Sequence, residues 1–343
     1  VPNVCGGAIS TLQFSEAGRL AVGYDPRGLA VGRVADGEWR VVTAQAGSQD
    51  LVVAAARPDG SVEPLSSSTV TGTPVALLAL EGEGDPMLMV ARFGAGGVAR
   101  HPQAMGSLDW SEEFLATAYG PRHLASADLD GNGSLDVVVG HDSGAVMVVW
   151  DAALPTWRAQ QVAMEYGRIG GVATGALLED GVMRVIYTVP DRDAVVAVNA
   201  VDGSAVEWTT YYAPEGVVVE DLNEDGALDL LVAYPYYAQV AVMLQEEAGS
   251  MVAGEMMGDC GAPSAMAFTD VDGDGHQDLL LADSQGHVHL RSPVMDIERM
   301  VVLYVGSGPV ALAVADLNGD TAPDFVVLNQ VAGDVVTYLN TSF

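Results

Sequence analysis

Four short stretches of this 343-residue chain carry the residues best suited to chemistry: ADLDGNGSLD (residues 127–136), EDLNEDGALD (220–229), TDVDGDGHQD (269–278) and ADLNGDTAPD (315–324). They align without gaps. Each sets oxygen-bearing side chains at alternate positions: Asp128, Asp130, Asn132 and Asp136; Asp221, Asn223, Asp225 and Asp229; Asp270, Asp272, Asp274 and Asp278; Asp316, Asn318, Asp320 and Asp324. A hard cation such as Ca²⁺ takes six to eight oxygens, mixing carboxylates, amides, backbone carbonyls and water. The seventh-position residues Ser134, Ala227, His276 and Ala322 are expected to supply the carbonyl. One such cluster alone reads as an ordinary turn, since Asp, Asn and Gly favour turns. Four in-register copies point instead to about four bound calcium ions, because carboxylates packed without a cation repel. An EF-hand is disfavoured: these segments end in Asp at position nine and run straight into an apolar strand.

Thr321 replaces the turn glycine in the last copy, which makes it the least regular. Further upstream Glu81, Glu83 and Asp85 alternate, but Met87 stands where the closing aspartate would be, so metal binding there stays open. Asp36-Gly37 and Asp180-Gly181 read as tight hairpins that need no metal.

The elements that must hold these loops repeat with them. Aligning the closing position gives anchors at Arg40, Met87, Asp136, Arg184, Asp229, Asp278 and Asp324, seven units spaced 45 to 49 residues apart. Each unit holds about four short apolar strands. Third strands are expected at Ala145–Trp150, Val195–Asn199, Val240–Leu244 and Val335–Leu339, and fourth strands ending near Tyr119, Tyr166, Tyr212 and Tyr304. That period and strand count predict an all-β, seven-bladed β-propeller of four-stranded antiparallel blades, a single domain over residues 1–343. The last unit stops after its third strand, and Gly18–Tyr24 resembles a fourth strand. The N-terminal strand is therefore expected to complete the last blade and close the ring.

The loops and their flanking strands resemble FG-GAP/VCBS repeats, as in the integrin α-subunit propeller and in fungal and bacterial propeller lectins. Arg92-Phe93-Gly94-Ala95-Gly96-Gly97 is similar to the phenylalanine-glycine part of that name. The resemblance covers nearly the whole chain and departs from the pattern in units one, two and four. It implies that the calcium ions are structural and that ligands bind on the face opposite the metal loops.

Charge and composition narrow the function classes. There are 46 acidic residues against 14 basic ones, all arginine, for a formal net charge of −32. Such a chain repels phosphate backbones and anionic membrane surfaces, so no nucleic-acid partner is expected. No apolar run approaches the roughly 18–20 residues of a membrane helix, so no membrane insertion is expected either. Gly-x-Ser-x-Gly, Ser-x-x-Lys and lysine itself are missing, which leaves no familiar nucleophile. His287 and His289 share one strand face with no third ligand apparent, and Trp110, Trp150, Trp157 and Trp208 read as packing between blades.

The reading is a non-enzymatic binding module, secreted, cell-surface or periplasmic, for a glycan or an extracellular protein. A structural subunit of a larger extracellular assembly is the alternative, and a polysaccharide lyase-type enzyme a more distant one. Val1-Pro2-Asn3 has no basic start or apolar run, which is consistent with a processed secreted chain. A bridge between Cys5 and Cys260 is left open, as is use of the Asn340-Thr-Ser342 sequon.

Overall fold

A computed structural model describes residues 12–342, apart from 83–84, 156, 179, 247–248, 258–260 and 293–299. Cys5, Cys260, Glu83 and Glu179 lie outside the described residues. The chain is a seven-bladed β-propeller of four-stranded antiparallel blades. Blades one to six take consecutive strands, beginning at Pro26, Pro74, Pro121, Val172, Val217 and Pro263. Five of the seven first strands open on proline, counting Pro309 of blade seven. Proline has no N–H to give a ladder, so the first residue of a strand is where it is tolerated.

Blade seven takes Pro309–Ala315, Asp324–Asn329 and Asp334–Asn340 from the C-terminal end and its fourth strand from Phe14–Ala21. The pairing runs from Phe14 opposite Asn340 to Ala21 opposite Asp334. The closing strand is thus observed as expected. It lies a few residues earlier than Gly18–Tyr24 because Gly23 adopts φ of +137° and turns the chain out of the sheet.

Contacts group the chain into two compact units. One comprises Val1–Val90, Arg100–Glu112 and Asp259–Phe343, the other Ala91–Ala99 and Glu113–Gly258. Within the first, three apolar clusters join blade one to two, six to seven, and seven to one. Within the second, two clusters join blade three to four and four to five. Second and third strands are the buried ones: Asp136–His141 and Ala145–Trp150 are buried at every position. They sit between neighbours on both edges and both faces, so their sequences are near-continuous Val, Ala and Leu. Fourth strands form the outer edge and alternate with solvent-facing residues, as in Arg158–Met164.

The closing strand is held by aromatic packing. Phe325, fully buried, lies 5.0 Å from Phe14 and stacks on Tyr338 at 4.8 Å between ring centroids. Phe325→Ala removes the ring that both others rest on and should destabilise the fold by about 3–5 kcal/mol, read as a lower urea midpoint. An unchanged midpoint would show that closure does not depend on this stack.

Candidate metal centres

Each acidic segment forms the connection between the first and second strands of its blade. The last strand pairs before it are Ala127 with Asp136, Glu220 with Asp229, Thr269 with Asp278 and Ala315 with Asp324. The first aspartate folds the loop over itself. Asp128 accepts the N–H groups of Gly131, Asn132 and Gly133 at 2.8–3.0 Å. Asp270 does the same for Gly273, Asp274 and Gly275, and Asp316 for Gly319, Asp320 and Thr321. Asp221 accepts from Asp225 and Gly226. The fifth-position side chains Asn132, Asp225, Asp274 and Asp320 then accept the N–H of Ser134, Ala227, His276 and Ala322.

All four loops therefore share one backbone path. Its sixth residue is Gly133, Gly226 or Gly275 at φ of +87° to +91°, and Thr321 takes the same place at +75°. A β-branched residue in the left-handed region is strained. Thr321 holds it while its N–H reaches Asp316 at 3.1 Å.

The closing aspartates Asp136, Asp229, Asp278 and Asp324 are fully buried. One oxygen of each accepts the N–H of the loop's second residue: Leu129, Leu222, Val271 or Leu317, at 2.8–3.0 Å. In three of them the other oxygen reaches the end of the third strand or just beyond it, accepting from Asp151, Gln245 or Asn340 at 2.7–2.8 Å. This carboxylate clamps loop, second strand and third strand together. Asp278 Oδ1 has no such partner among the described residues.

Ligand-bearing oxygens converge in these loops. Carboxylate oxygens of Asp128, Asp130 and Asp136 lie within 4.8 Å of one another, as do those of Asp270, Asp272 and Asp278. In the other two loops the third position is an amide, and Asn223 and Asn318 donate to Asp225 and Asp320. Burial pushes the carboxyls of Asp136, Asp229, Asp278 and Asp324 upward, and nearby loop aspartates add to this. Asp278 reaches about 6. An all-oxygen, mutually repelling donor set with one buried carboxylate at its base fits a hard divalent cation.

Blades one and four solve the same problem differently. At the closing position stand Arg40 and Arg184, both buried. Arg184 forks onto Asp180 at 2.5 and 2.7 Å, and Arg40 reaches Glu38 at 2.7 Å and Asp36 at 3.7 Å. The guanidinium holds Asp180 down at about 2. A side-chain cation thus neutralises the loop acid in the blades that lack the aspartate series. Blade two has Met87 instead. Asp85 there accepts the N–H of Ala35 from the blade-one loop at 2.7 Å, so it is committed to a neighbouring turn.

Comparison with known proteins fits this geometry. Residues 221–281 match the model of the FG-GAP-like repeat. That span holds the loops of blades five and six. No curated protein matches the chain by sequence. Among solved structures, BBS1N in complex with ARL6DN, soaked with lead, is similar with a TM-score of 0.70 at 16% identity, covering 95% of this chain and 96% of that one. A mercury-soaked crystal of the same complex gives a TM-score of 0.69 at 16% identity with the same coverage. At that identity the likeness concerns the fold.

Outside the FG-GAP-like loops the structure brings together residues that sequence reasoning left apart. His287 and His289 share a strand face as expected, and Asp283 folds back onto both across the turn Ser284-Gln285-Gly286. The signal was local, an Asp four and six residues before two histidines and separated from them by a hairpin turn. His141 is a buried packing histidine bonded to Thr117 and Ala145. Three of the tryptophans pack between blades as expected: Trp150 is buried among blades three and four, Trp208 packs against the cluster of blades four and five, and Trp110 donates to Ser66 of blade one.

The tyrosines expected at strand ends are different. Tyr24, Tyr119, Tyr166, Tyr212 and Tyr304 are exposed, Tyr166 to 89%, and so is Tyr236, to 77%, which the sequence did not single out. They lie in or beside the turns that link second to third strands and one blade to the next. In each blade those turns are at the strand ends opposite the loop between first and second strands.

The raised carboxyl of Asp278 carries a sign that can be measured. Its folded value, about 6, exceeds the ordinary 3.8, so its contribution to stability is present below pH 4 and lost as pH rises through 6. In chelator, Asp278→Asn should gain stability relative to the parent between pH 4 and 6 and hold that gain above. A difference independent of pH would contradict the burial of this charge.

Proposed function

We propose that this chain is a calcium-braced propeller that presents the tyrosine-bearing ends of its blades to a protein partner. The observation that carries the reading is the polarity of blades three, five, six and seven: an acidic loop at one end, exposed tyrosines at the other. Large exposed aromatics are unfavourable in water and mark contact surfaces. Tyrosine is enriched among residues that dominate interface energy, because a rigid ring gives area with little ordering entropy. In blade five and the connection before it, Tyr212, Tyr236 and Tyr237 pack edge to face at 5.2–6.4 Å, a preassembled aromatic cluster. The solved propeller of similar fold was crystallised in complex with ARL6DN, which supports a protein partner over a glycan.

On this reading the calcium ligands are Asp128, Asp130, Asn132 and Asp136 with the Ser134 carbonyl, and the matching positions in the loops of blades five, six and seven. Calcium bound there would offset the repulsion among the loop carboxylates. The ion has no part in chemistry, and the module is non-catalytic. The location that goes with it is secreted or cell-surface, where calcium is abundant enough to fill such loops.

Two outcomes are expected. Chelation at neutral pH should lower the melting temperature, since a ligand bound only by the native state stabilises it by about 2.7 kcal/mol per site at hundredfold saturation. An unchanged melt would remove calcium from the account. For the surface, a protein captured from the native source should be purified and its affinity measured by calorimetry. Tyr212→Ser, Tyr236→Ser and Tyr237→Ser together should weaken it about tenfold or more, roughly 1.4 kcal/mol, with the melt unchanged. Equal affinity, or binding only to sugars on a glycan array, would overturn the protein-facing reading.

A further inference from the structure

We propose that blade six carries a second metal site of a different kind, formed by Asp283, His287 and His289 and selective for a borderline transition-metal dication of the Zn²⁺ class. The three residues span one hairpin. Asp283 ends the second strand, Asp278–Asp283, and the two histidines lie on the third, His287–Arg291. Asp278 of the acidic loop begins the strand that Asp283 ends, so the two sites sit at opposite ends of one strand and are independent.

The geometry is that of a prepared ligand set. Asp283 Oδ2 is 2.8 Å from His289 Nε2 and 3.4 Å from His287 Nδ1. One ligand atom from each residue lies within 4.8 Å of the other two. Metal–ligand bonds of about 2.0–2.2 Å put neighbouring ligands about 2.8–3.1 Å apart in octahedral and about 3.3–3.6 Å apart in tetrahedral coordination, so small shifts would admit an ion. The carboxylate is already aimed. Its Oδ1 accepts the N–H groups of Gln285 at 2.8 Å and His287 at 3.0 Å, which leaves Oδ2 for the histidines. Such supporting bonds to a ligating carboxylate are what metal sites use to fix orientation.

Burial and packing add a second observation. Asp283 and His289 are almost wholly buried, and His289 Nδ1 has no hydrogen-bond partner among the described residues. A Cβ at Gly261 would stand 2.8 Å from Asp283 Oδ2, so the chain there leaves no space for a larger side chain. His287 is one-third exposed and packs edge to face on Tyr304 at 5.8 Å. The set therefore has a rigid inner side and one solvent-facing side, where water or a partner's side chain can complete the coordination. Two imidazoles and one carboxylate suit zinc and its neighbours rather than calcium, which takes oxygen alone.

The test uses Co²⁺ as a spectroscopic probe on the full chain, in excess calcium so that the acidic loops are filled. Titration should give visible d–d bands that saturate at one Co²⁺ per chain and are displaced by one Zn²⁺. His287→Gln, at the most exposed of the three ligands, should weaken Co²⁺ binding by more than about tenfold, with the melt of the calcium-loaded protein preserved. Asp283→Asn should do the same, judged by circular dichroism for an intact fold. Absence of the bands in the parent protein, or bands of undiminished affinity in His287→Gln, would overturn the site. Neither result bears on the calcium loops.

Discussion

A carboxylate buried at the head of a strand is the constraint on which this propeller depends. Asp136, Asp229, Asp278 and Asp324 have no solvent to hydrate them, so their charge must be met by hydrogen bonds or by a counter-charge. Backbone N–H groups supply part of this, from the loop in all four and from the third strand or just beyond it for Asp136, Asp229 and Asp324. The same bonds fix the loop, and the fixed loop in turn gathers the other carboxylates. Burial therefore creates both the order of the blade and the electrostatic tension within it. In blade seven the arrangement extends to its neighbour: Asn340 donates its backbone N–H to Asp324 and its side-chain amide to Val271 in the blade-six loop.

Blades one and four show that the demand is for positive charge rather than for a particular ion. Arg40 and Arg184 stand at the closing position and pair with the acids of their own loops. The arginine blades carry their cation covalently; on the proposed reading the aspartate blades take theirs from solution. This also accounts for part of the net charge of −32, because the acids of four loops have no arginine at the closing position.

Much of the fold was legible in the sequence, because a closed ring of similar blades repeats one pattern. The anchors from Arg40 to Asp324 each fall on the first or second residue of a second strand. The loop residues were legible for the same reason: one copy reads as an ordinary turn, whereas four in-register copies with oxygen-bearing side chains at alternate positions do not. The role of Arg40 and Arg184 was not, since an arginine in an alignment column of aspartates looks like a missing site until its distance to Asp180 or Glu38 is known. Asp283 was hidden by its place across a turn from His287 and His289. The tyrosines were visible only as strand-end markers, because whether an aromatic ring packs inward or outward depends on neighbours remote in the chain.

The central claim is that four blades bind a cation and two are closed by arginine. The most direct measurement is diffraction from crystals grown in calcium chloride, with anomalous differences locating the ions. The account predicts peaks at the loops 128–136, 221–229, 270–278 and 316–324, and none at 36–40 or 180–184. Empty aspartate loops, or an ion beside Arg40 or Arg184, would contradict it.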